Sequence, residues 1–126
     1  MPAAALDFVR SNGYALEIGA NFSQEITFFS DAASQQPKNF TGYTFKMQIR
    51  DKHDSPVPIL TLTQVNSIGD WIEVFAVEGR IIIHITNAST LLFKGGTYVY
   101  DLFGTSGPNA EKLLVGTIEV VPRVTK

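Results

Sequence analysis

Hydrophobic and polar residues alternate with a period of two along most of this chain. The clearest case is the segment 43–50, in which one face would carry Tyr43, Phe45, Met47 and Ile49. Successive side chains of a β-strand point to opposite faces of the sheet, so this pattern predicts a strand with one buried face. A second example is 112–121, where Leu114, Ile118 and Val120 share a face.

Eight segments have this strand character, and Gly, Pro, Asn, Asp and Ser cluster between them. The predicted strands are about 14–18, 22–29, 43–50, 58–63, 71–77, 81–86, 97–104 and 112–121. The one helical turn predicted lies around 87–92, with Asn87 as a candidate N-cap. Many short strands without a long helix predict an all-β sandwich or barrel.

The length of 126 residues fits one domain. Residues 13–126 are expected to form a single β-sandwich. Residues 1–12 show no clean alternation, and we expect them to form an N-terminal arm or lead-in outside the sandwich. The N-terminus also lacks the basic start of a secretory signal.

Composition excludes several function classes. The chain has no Cys, so disulfides, thiolate catalysis and Cys-ligated metal sites are ruled out. The net charge is −2 and no basic run is present, so nucleic acid is not an expected partner. No apolar run reaches the 18 or so residues of a membrane-spanning helix, so no membrane contact is expected. No cofactor is expected either.

The residues that most often carry chemistry lack partners in the sequence. His53 and His84 have no recognisable nucleophile motif near them, so no catalytic residue is assigned and no enzyme activity is expected. Asp51, His53 and Asp54 cluster in a polar segment, but the spacing of a calcium-binding loop is absent. A solvated turn is the better interpretation, and no metal site is predicted.

The segment Gly96-x-Tyr98-x-Tyr100 resembles the tyrosine corner of immunoglobulin-like sandwiches. In that motif a Tyr hydroxyl bonds the backbone a few residues upstream. Tyr100 stands where an antibody domain carries its second Cys. We therefore assign Gly96 and Tyr98 a structural role and predict an immunoglobulin-like antiparallel β-sandwich of about eight strands.

The order of motifs resembles a family of small proteins from phage and prophage tail regions, similar to the N-terminal sandwich domain of baseplate upper proteins. The resemblance covers roughly 14–125 and rests on the segments 19–22, 40–51, 59–63, 78–86, 90–102 and 113–125. It implies a non-enzymatic structural protein of the virion, in a tail, baseplate or adaptor, assembled in the host cytoplasm. Its partners would be other virion proteins and further copies of itself, so a homo-oligomer is expected.

Apolar residues also fall on the strand faces that should point to solvent. The candidate interface residues are Phe29, Ile82, Val99, Phe103, Leu113 and Val115. Large exposed apolar patches usually mark interfaces, which favours association. The alternative is a carbohydrate- or ligand-binding sandwich in which Trp71, Tyr43 or Tyr14 stacks on a sugar. A small barrel around a lipid also fits the strand count.

Overall fold

The computed structural model describes residues 4–9, 15–29, 37–52, 55–65 and 69–122. Within these ranges it contains nine strands, one short 3₁₀ turn at Ala76–Glu78 and one turn of helix, α1, at Asn87–Thr90. The strands are β1 (Ala4–Ala5), β2 (Leu16–Glu17), β3 (Phe22–Thr27), β4 (Thr44–Arg50), β5 (Leu60–Thr63), β6 (Trp71–Phe75), β7 (Arg80–Ile85), β8 (Gly96–Ser106) and β9 (Asn109–Val121). All eight predicted strands are present, which confirms the all-β prediction.

The strands form two sheets that face each other. The large sheet has the order β1-β9-β8-β4-β5, with β2 also paired to β9, and the small sheet has the order β3-β7-β6. In immunoglobulin terms β3-β7-β6 corresponds to strands B, E and D, and β9-β8-β4-β5 to strands G, F, C and C′. The chain is therefore an immunoglobulin-like sandwich. The pairings of β1 and β2 with β9 are parallel, so the large sheet is mixed.

The core lies between the two sheets and is built from the inward-facing position of each strand. In β4 the buried residues are Phe45, Met47 and Ile49, as the alternation predicts. In β7 they are Ile81, Ile83 and Ile85. Aromatic rings fill the space at the two ends of the core. Phe8, Phe22 and Tyr100 meet at one end, and Phe28, Phe40, Tyr43 and Phe45 at the other.

A β-bulge in the β8–β9 hairpin reverses the prediction for Leu113. Leu102 pairs with Leu114, but Phe103 pairs with Lys112, so Leu113 has no direct partner in β8. The extra residue turns inward, and both Leu113 and Leu114 are buried. Leu113 is 5% exposed and belongs to the core, so its assignment to an exposed interface was wrong.

The N-terminal residues that the structure describes pair with β9 as part of the large sheet, which corrects the expectation of an arm for residues 4–9. Ala4 and Ala5 pair in parallel with Leu114 and Val115, and Phe8 forms a bridge with Ile118. The Phe8 side chain is only 2% exposed. The remaining residues of 1–12 lie outside the described residues.

The connection from β7 of the small sheet through α1 to β8 of the large sheet is held by the buried carboxylate of Asp70. The N-cap of α1 is Thr86, one residue before the predicted Asn87. Asp70 accepts hydrogen bonds from the Thr86 N–H at 2.7 Å, from the Thr86 hydroxyl at 3.0 Å and from the Ser89 hydroxyl. Asp70 is buried, so these three donors hold the end of β7 and the start of α1 to the start of β6.

Candidate functional site

Tyr98 forms the backbone contact that the corner interpretation requires. Its hydroxyl donates to the Lys94 carbonyl at 3.0 Å and accepts from the Lys94 N–H at 2.9 Å. The ring is buried and packs edge-to-face on Phe93, with 5.1 Å between the centroids. Gly96 opens β8 with a φ of 144°, a conformation that L side chains rarely adopt. These two residues shape the entry of β8, and the Tyr98 hydroxyl is used by the backbone of Lys94.

Tyr100 ties the N-terminal segment to the large sheet. Its hydroxyl donates to the Leu6 carbonyl at 2.6 Å, and its ring lies 5.4 Å from that of Phe8. Burial raises the pKa of the Tyr100 phenol, and the nearby Asp7 carboxylate raises it further. Where an antibody domain has its second Cys, this chain therefore has Tyr100, which links β8 to a distant backbone carbonyl by a hydrogen bond.

We define the large-sheet face as the outward-pointing side chains of β4, β5, β8 and β9. The strand registers arrange them in rows across the sheet. The first row is Thr63, Lys46, Phe103 and Lys112. The second is Thr61, Gln48, Asp101 and Val115, and the third is Arg50, Val99 and Thr117. Phe103, Val99 and Val115 are thus interspersed with charged and polar groups on this face, and Asp101 lies between Phe103 and Val99 on β8.

The basic side chains of the large-sheet face, Arg50, Lys46 and Lys112, differ in the contacts that they make. Arg50 donates to the Gln48 side chain at 2.8 Å and to the Ser55 carbonyl. The Lys112 ammonium lies 5.6 Å from the centre of the Phe103 ring. Within the described residues neither Lys46 nor Lys112 has a carboxylate at ion-pair distance. Along the β9–β1 margin, Asp7 accepts two hydrogen bonds from Thr117.

We define the small-sheet face as the outward-pointing side chains of β3, β6 and β7. It also consists of three rows, which are Ser23–His84–Trp71, Glu25–Ile82–Glu73 and Thr27–Arg80–Phe75. Arg80 lies 3.9 Å above the Phe75 ring and pairs with Glu25 at 3.6 Å and Glu78 at 3.2 Å. Trp71 stacks on His84 with 5.7 Å between ring centroids. This face carries more acid than base.

Ser23, His84 and Glu73 bring a hydroxyl, an imidazole and a carboxylate together on the small-sheet face. Glu73 Oε1 lies 2.9 Å from His84 Nε2, whereas Ser23 Oγ lies 3.5 Å from His84 Nδ1. A nucleophile and its base normally approach within 2.6–3.2 Å and act beside donors that stabilise an oxyanion. Here the Ser23 hydroxyl is farther than that from the imidazole, and the set stands on an open sheet face. The arrangement does not resemble a hydrolase site.

The depressions on the large-sheet face are too small for a drug-sized ligand. One, lined by Gln48, Arg50 and Lys112 among others, has about 90 Å³. The other, between Lys46, Asp101 and Phe103, has about 140 Å³. Ligand sites usually have about 300–1,000 Å³. Among the described residues, a groove along Asn21, Ser23 and His84 and another along Phe8 and β3 reach that range, but both are open to solvent.

The β4–β5 turn contains the acidic residues considered as metal ligands. Asp51 accepts a hydrogen bond from the Ser55 hydroxyl, and this bond lowers the pKa of the exposed Asp51 carboxyl. His53 and Asp54 lie outside the described residues. Among the residues with described positions, no three His, Asp or Glu side chains are close enough to share a metal ion. The same part of the chain contains no helix long and apolar enough to cross a membrane.

The six candidate interface residues do not form one surface. Val99, Phe103 and Val115 lie together on the large-sheet face, and Ile82 lies at the centre of the small-sheet face. Phe29 is 44% exposed in the segment after β3, and Leu113 is in the core. Of the aromatic residues proposed to stack on a sugar, Trp71 is on an outer face, Tyr43 packs against Phe40 and Phe45, and Tyr14 is outside the described residues.

Two residues with clear structural roles were missed from the sequence. Asp70 was not considered, and no local signal marks it, because it lies 16 residues before Thr86 in the sequence and reaches the helix start only through the fold. Gly116 was read only as part of an alternating strand. A side chain there would put its Cβ 2.0 Å from the Leu6 carbonyl oxygen, so Gly116 permits the N-terminal segment to approach β9. Searches against models of known families and against curated proteins give no match for this chain.

Proposed function

We propose that this protein is a non-enzymatic structural component of a phage or prophage virion, in a tail, baseplate or adaptor, that acts by protein–protein contacts. The observation that carries the proposal is the presence of apolar side chains on both outer faces of the sandwich. A sandwich of this type normally alternates buried apolar and outward polar residues. Val99, Phe103 and Val115 on one side, and Trp71, Phe75 and Ile82 on the other, depart from that rule.

The shape of these faces supports contact with a macromolecule. Both are open sheet surfaces that mix apolar side chains with charged ones, and the depressions on the large-sheet face are small. Protein interfaces likewise combine apolar, aromatic and charged side chains. The resemblance to proteins of phage tail regions supplies the assembly in which such contacts would occur.

A carbohydrate-binding role is the second candidate, and Trp71 is the observation that favours it. Its indole lies on the small-sheet face, next to the open groove along Ser23 and His84. Tyr43 is partly buried and packs against Phe40 and Phe45 on the other sheet, so it does not form a row of aromatic side chains with Trp71. Trp71 is the single tryptophan, so its fluorescence directly reports any sugar that stacks there.

The proposal is tested in particles of the phage or induced prophage that carries the gene. Particles purified on a density gradient are analysed by quantitative mass spectrometry and labelled with an antibody against the recombinant protein. We expect the protein to co-migrate with the particles at a fixed copy number relative to a tail protein, and the antibody to label one part of the tail. Its absence from infectious particles would refute the virion role.

A further inference from the structure

The two outer faces of the sandwich carry matching rows of opposite charge. On the large-sheet face the row across β4, β8 and β9 is Lys46–Phe103–Lys112. On the small-sheet face the row across β3, β7 and β6 is Glu25–Ile82–Glu73. Each row has an apolar residue on the central strand and a charge of one sign on each side.

The spacing of the two rows is the same. Adjacent strands lie about 4.8 Å apart, so the two outer charges of each row are separated by about 10 Å at the backbone. If one row is laid against the other, each ammonium meets a carboxylate and Phe103 meets Ile82. Two like rows brought together would instead oppose charges of one sign, which costs several kcal/mol.

We infer that copies of this chain associate head-to-tail, with the Lys46–Phe103–Lys112 row of one copy on the Glu25–Ile82–Glu73 row of the next. This inference rests on the proposed structural function and names the partner as a second copy. The two faces lie on opposite sides of the sandwich, so every copy has both halves of the contact. Such a heterologous contact closes into a ring when its rotation permits, and otherwise extends as a filament.

The neighbouring rows are compatible with this contact. On the large-sheet face, Gln48 and Asp101 lie beside the lysine row, and Arg50 follows one row further. On the small-sheet face, Arg80 and His84 flank Ile82 along the central strand β7. With the strands aligned, Asp101 comes within reach of Arg80 or of His84, according to the direction of the second copy. Neither direction places like formal charges at the centre.

The size of the small sheet predicts that each contact is weak. Strands β3 and β7 have six residues each, and three strands of this length cover a plan area of about 15 by 20 Å. Pairing two such surfaces buries about 600 Å² or somewhat more, below the roughly 1,200 Å² of a stable two-protein interface. We therefore expect association that depends on concentration and on salt, with stability supplied by ring closure or by repetition.

Charge exchange within the full-length chain tests the inference. The variants K46E/K112E and E25K/E73K each reverse the charge of one of the two contact surfaces, so that like charges would meet. Sedimentation equilibrium at up to near-millimolar protein should show self-association weakened by about tenfold or more. The quadruple variant K46E/K112E/E25K/E73K exchanges the two rows and keeps the net charge of −2. Head-to-tail docking predicts that its self-association returns, because the glutamate row now lies on the large sheet and the lysine row on the small one.

Matched controls separate the contact from general charge effects. Lys52 and Lys94 are exposed in loops outside the strands of both faces, so K52E/K94E changes the net charge as K46E/K112E does and should associate like the parent. Circular dichroism and thermal melts check that each variant folds. If a charge-reversed variant does not fold, the neutral variant K46Q/K112Q or E25Q/E73Q is used in its place, and a smaller loss of self-association is expected.

Two results would overturn the inference. One is a parent chain that stays monomeric over the whole concentration range. The other is a quadruple variant that remains as dissociated as the double variants, which points to contact between like faces. Either result leaves the detection of the protein in purified particles unaffected, so failure of the head-to-tail contact is distinguishable from failure of the virion role.

Discussion

Replacing Gly116 by alanine should displace the N-terminal segment from the large sheet. The new Cβ would lie 2.0 Å from the Leu6 carbonyl oxygen and 2.9 Å from Asp7 Oδ1. Carbon and oxygen normally stay about 3.3 Å apart, so the segment must move away by more than about 1 Å. That movement breaks the hydrogen bond from the Tyr100 hydroxyl to the same carbonyl and disturbs the backbone bonds of Leu6 and Phe8 to β9.

The cost of this change has an upper limit, because the chain can always relieve the clash by releasing residues 4–9. Release exposes Phe8 and Leu6, worth together about 4 kcal/mol, and gives up the Tyr100 bond and three backbone bonds of Leu6 and Phe8 to β9, of about 1 kcal/mol each. The two exposed bonds from Thr117 to Asp7 are exchanged for bonds to water at little net cost. The freed backbone regains about 1 kcal/mol per residue of conformational entropy. The balance is a loss of about 2 kcal/mol in the free energy of unfolding. For a chain of 126 residues this lowers Tm by about 7 °C.

Urea unfolding followed by Trp71 fluorescence measures the loss, and a double-mutant cycle with Phe8→Ala identifies its cause. Both changes release the same segment, so together they should cost little more than either alone. Gly42→Ala is the control, since a Cβ at Gly42 meets no atom within 4 Å and only its φ of 86° is strained. Its cost should add to that of Phe8→Ala. Additive losses for Gly116→Ala and Phe8→Ala would refute the release of the segment.

Three further outcomes are expected. Tyr98→Phe loses both hydrogen bonds to Lys94 and should lower the free energy of unfolding by about 1–2 kcal/mol in a thermal melt. The control is Tyr43→Phe, which should cost much less because the Tyr43 hydroxyl has no hydrogen bond within the described residues. Equal losses would contradict the structural role of the tyrosine corner. The pKa of Tyr100 is raised in the folded chain, so above pH 10 the unfolded chain loses this proton before the folded chain does. The free energy of unfolding should therefore fall above pH 10 by about 1.4 kcal/mol per pH unit, and Tyr100→Phe should flatten the alkaline stability profile measured by urea unfolding. Asp70→Ala leaves three donors without an acceptor and should lower the free energy of unfolding by about 2–3 kcal/mol, with Asp70→Asn less affected.

The strands could be predicted because each carries its own alternating pattern. Phe45, Met47 and Ile49 show which face of β4 is buried without reference to any other segment. The corner bond of Tyr98 is likewise local, since it spans four residues. Residues 4–9 have no such pattern, and their place depends on β9, which follows more than 100 residues later. Their parallel pairing therefore could not be read from the segment itself.

The two outer faces could be predicted only in part. Phe103 and Ile82 were recognised as outward apolar residues from alternation alone. Their charged neighbours depend on strand register, because Lys46 meets Phe103 only through the pairing of two strands that are distant in sequence. Leu113 shows the opposite case. One extra residue at the bulge reverses the face of a side chain that a regular strand would turn outward.

The parallel pairing of the N-terminal segment with β9 also has a mechanical consequence. A force that pulls the two ends of the chain apart acts along these neighbouring strands in opposite directions. The bonds from Leu6 N to Val115 O, Phe8 N to Thr117 O and Glu119 N to Phe8 O then share the load in shear, instead of opening one after another. The geometry of these strands therefore favours mechanical resistance to tension applied between the N-terminal segment and the end of β9.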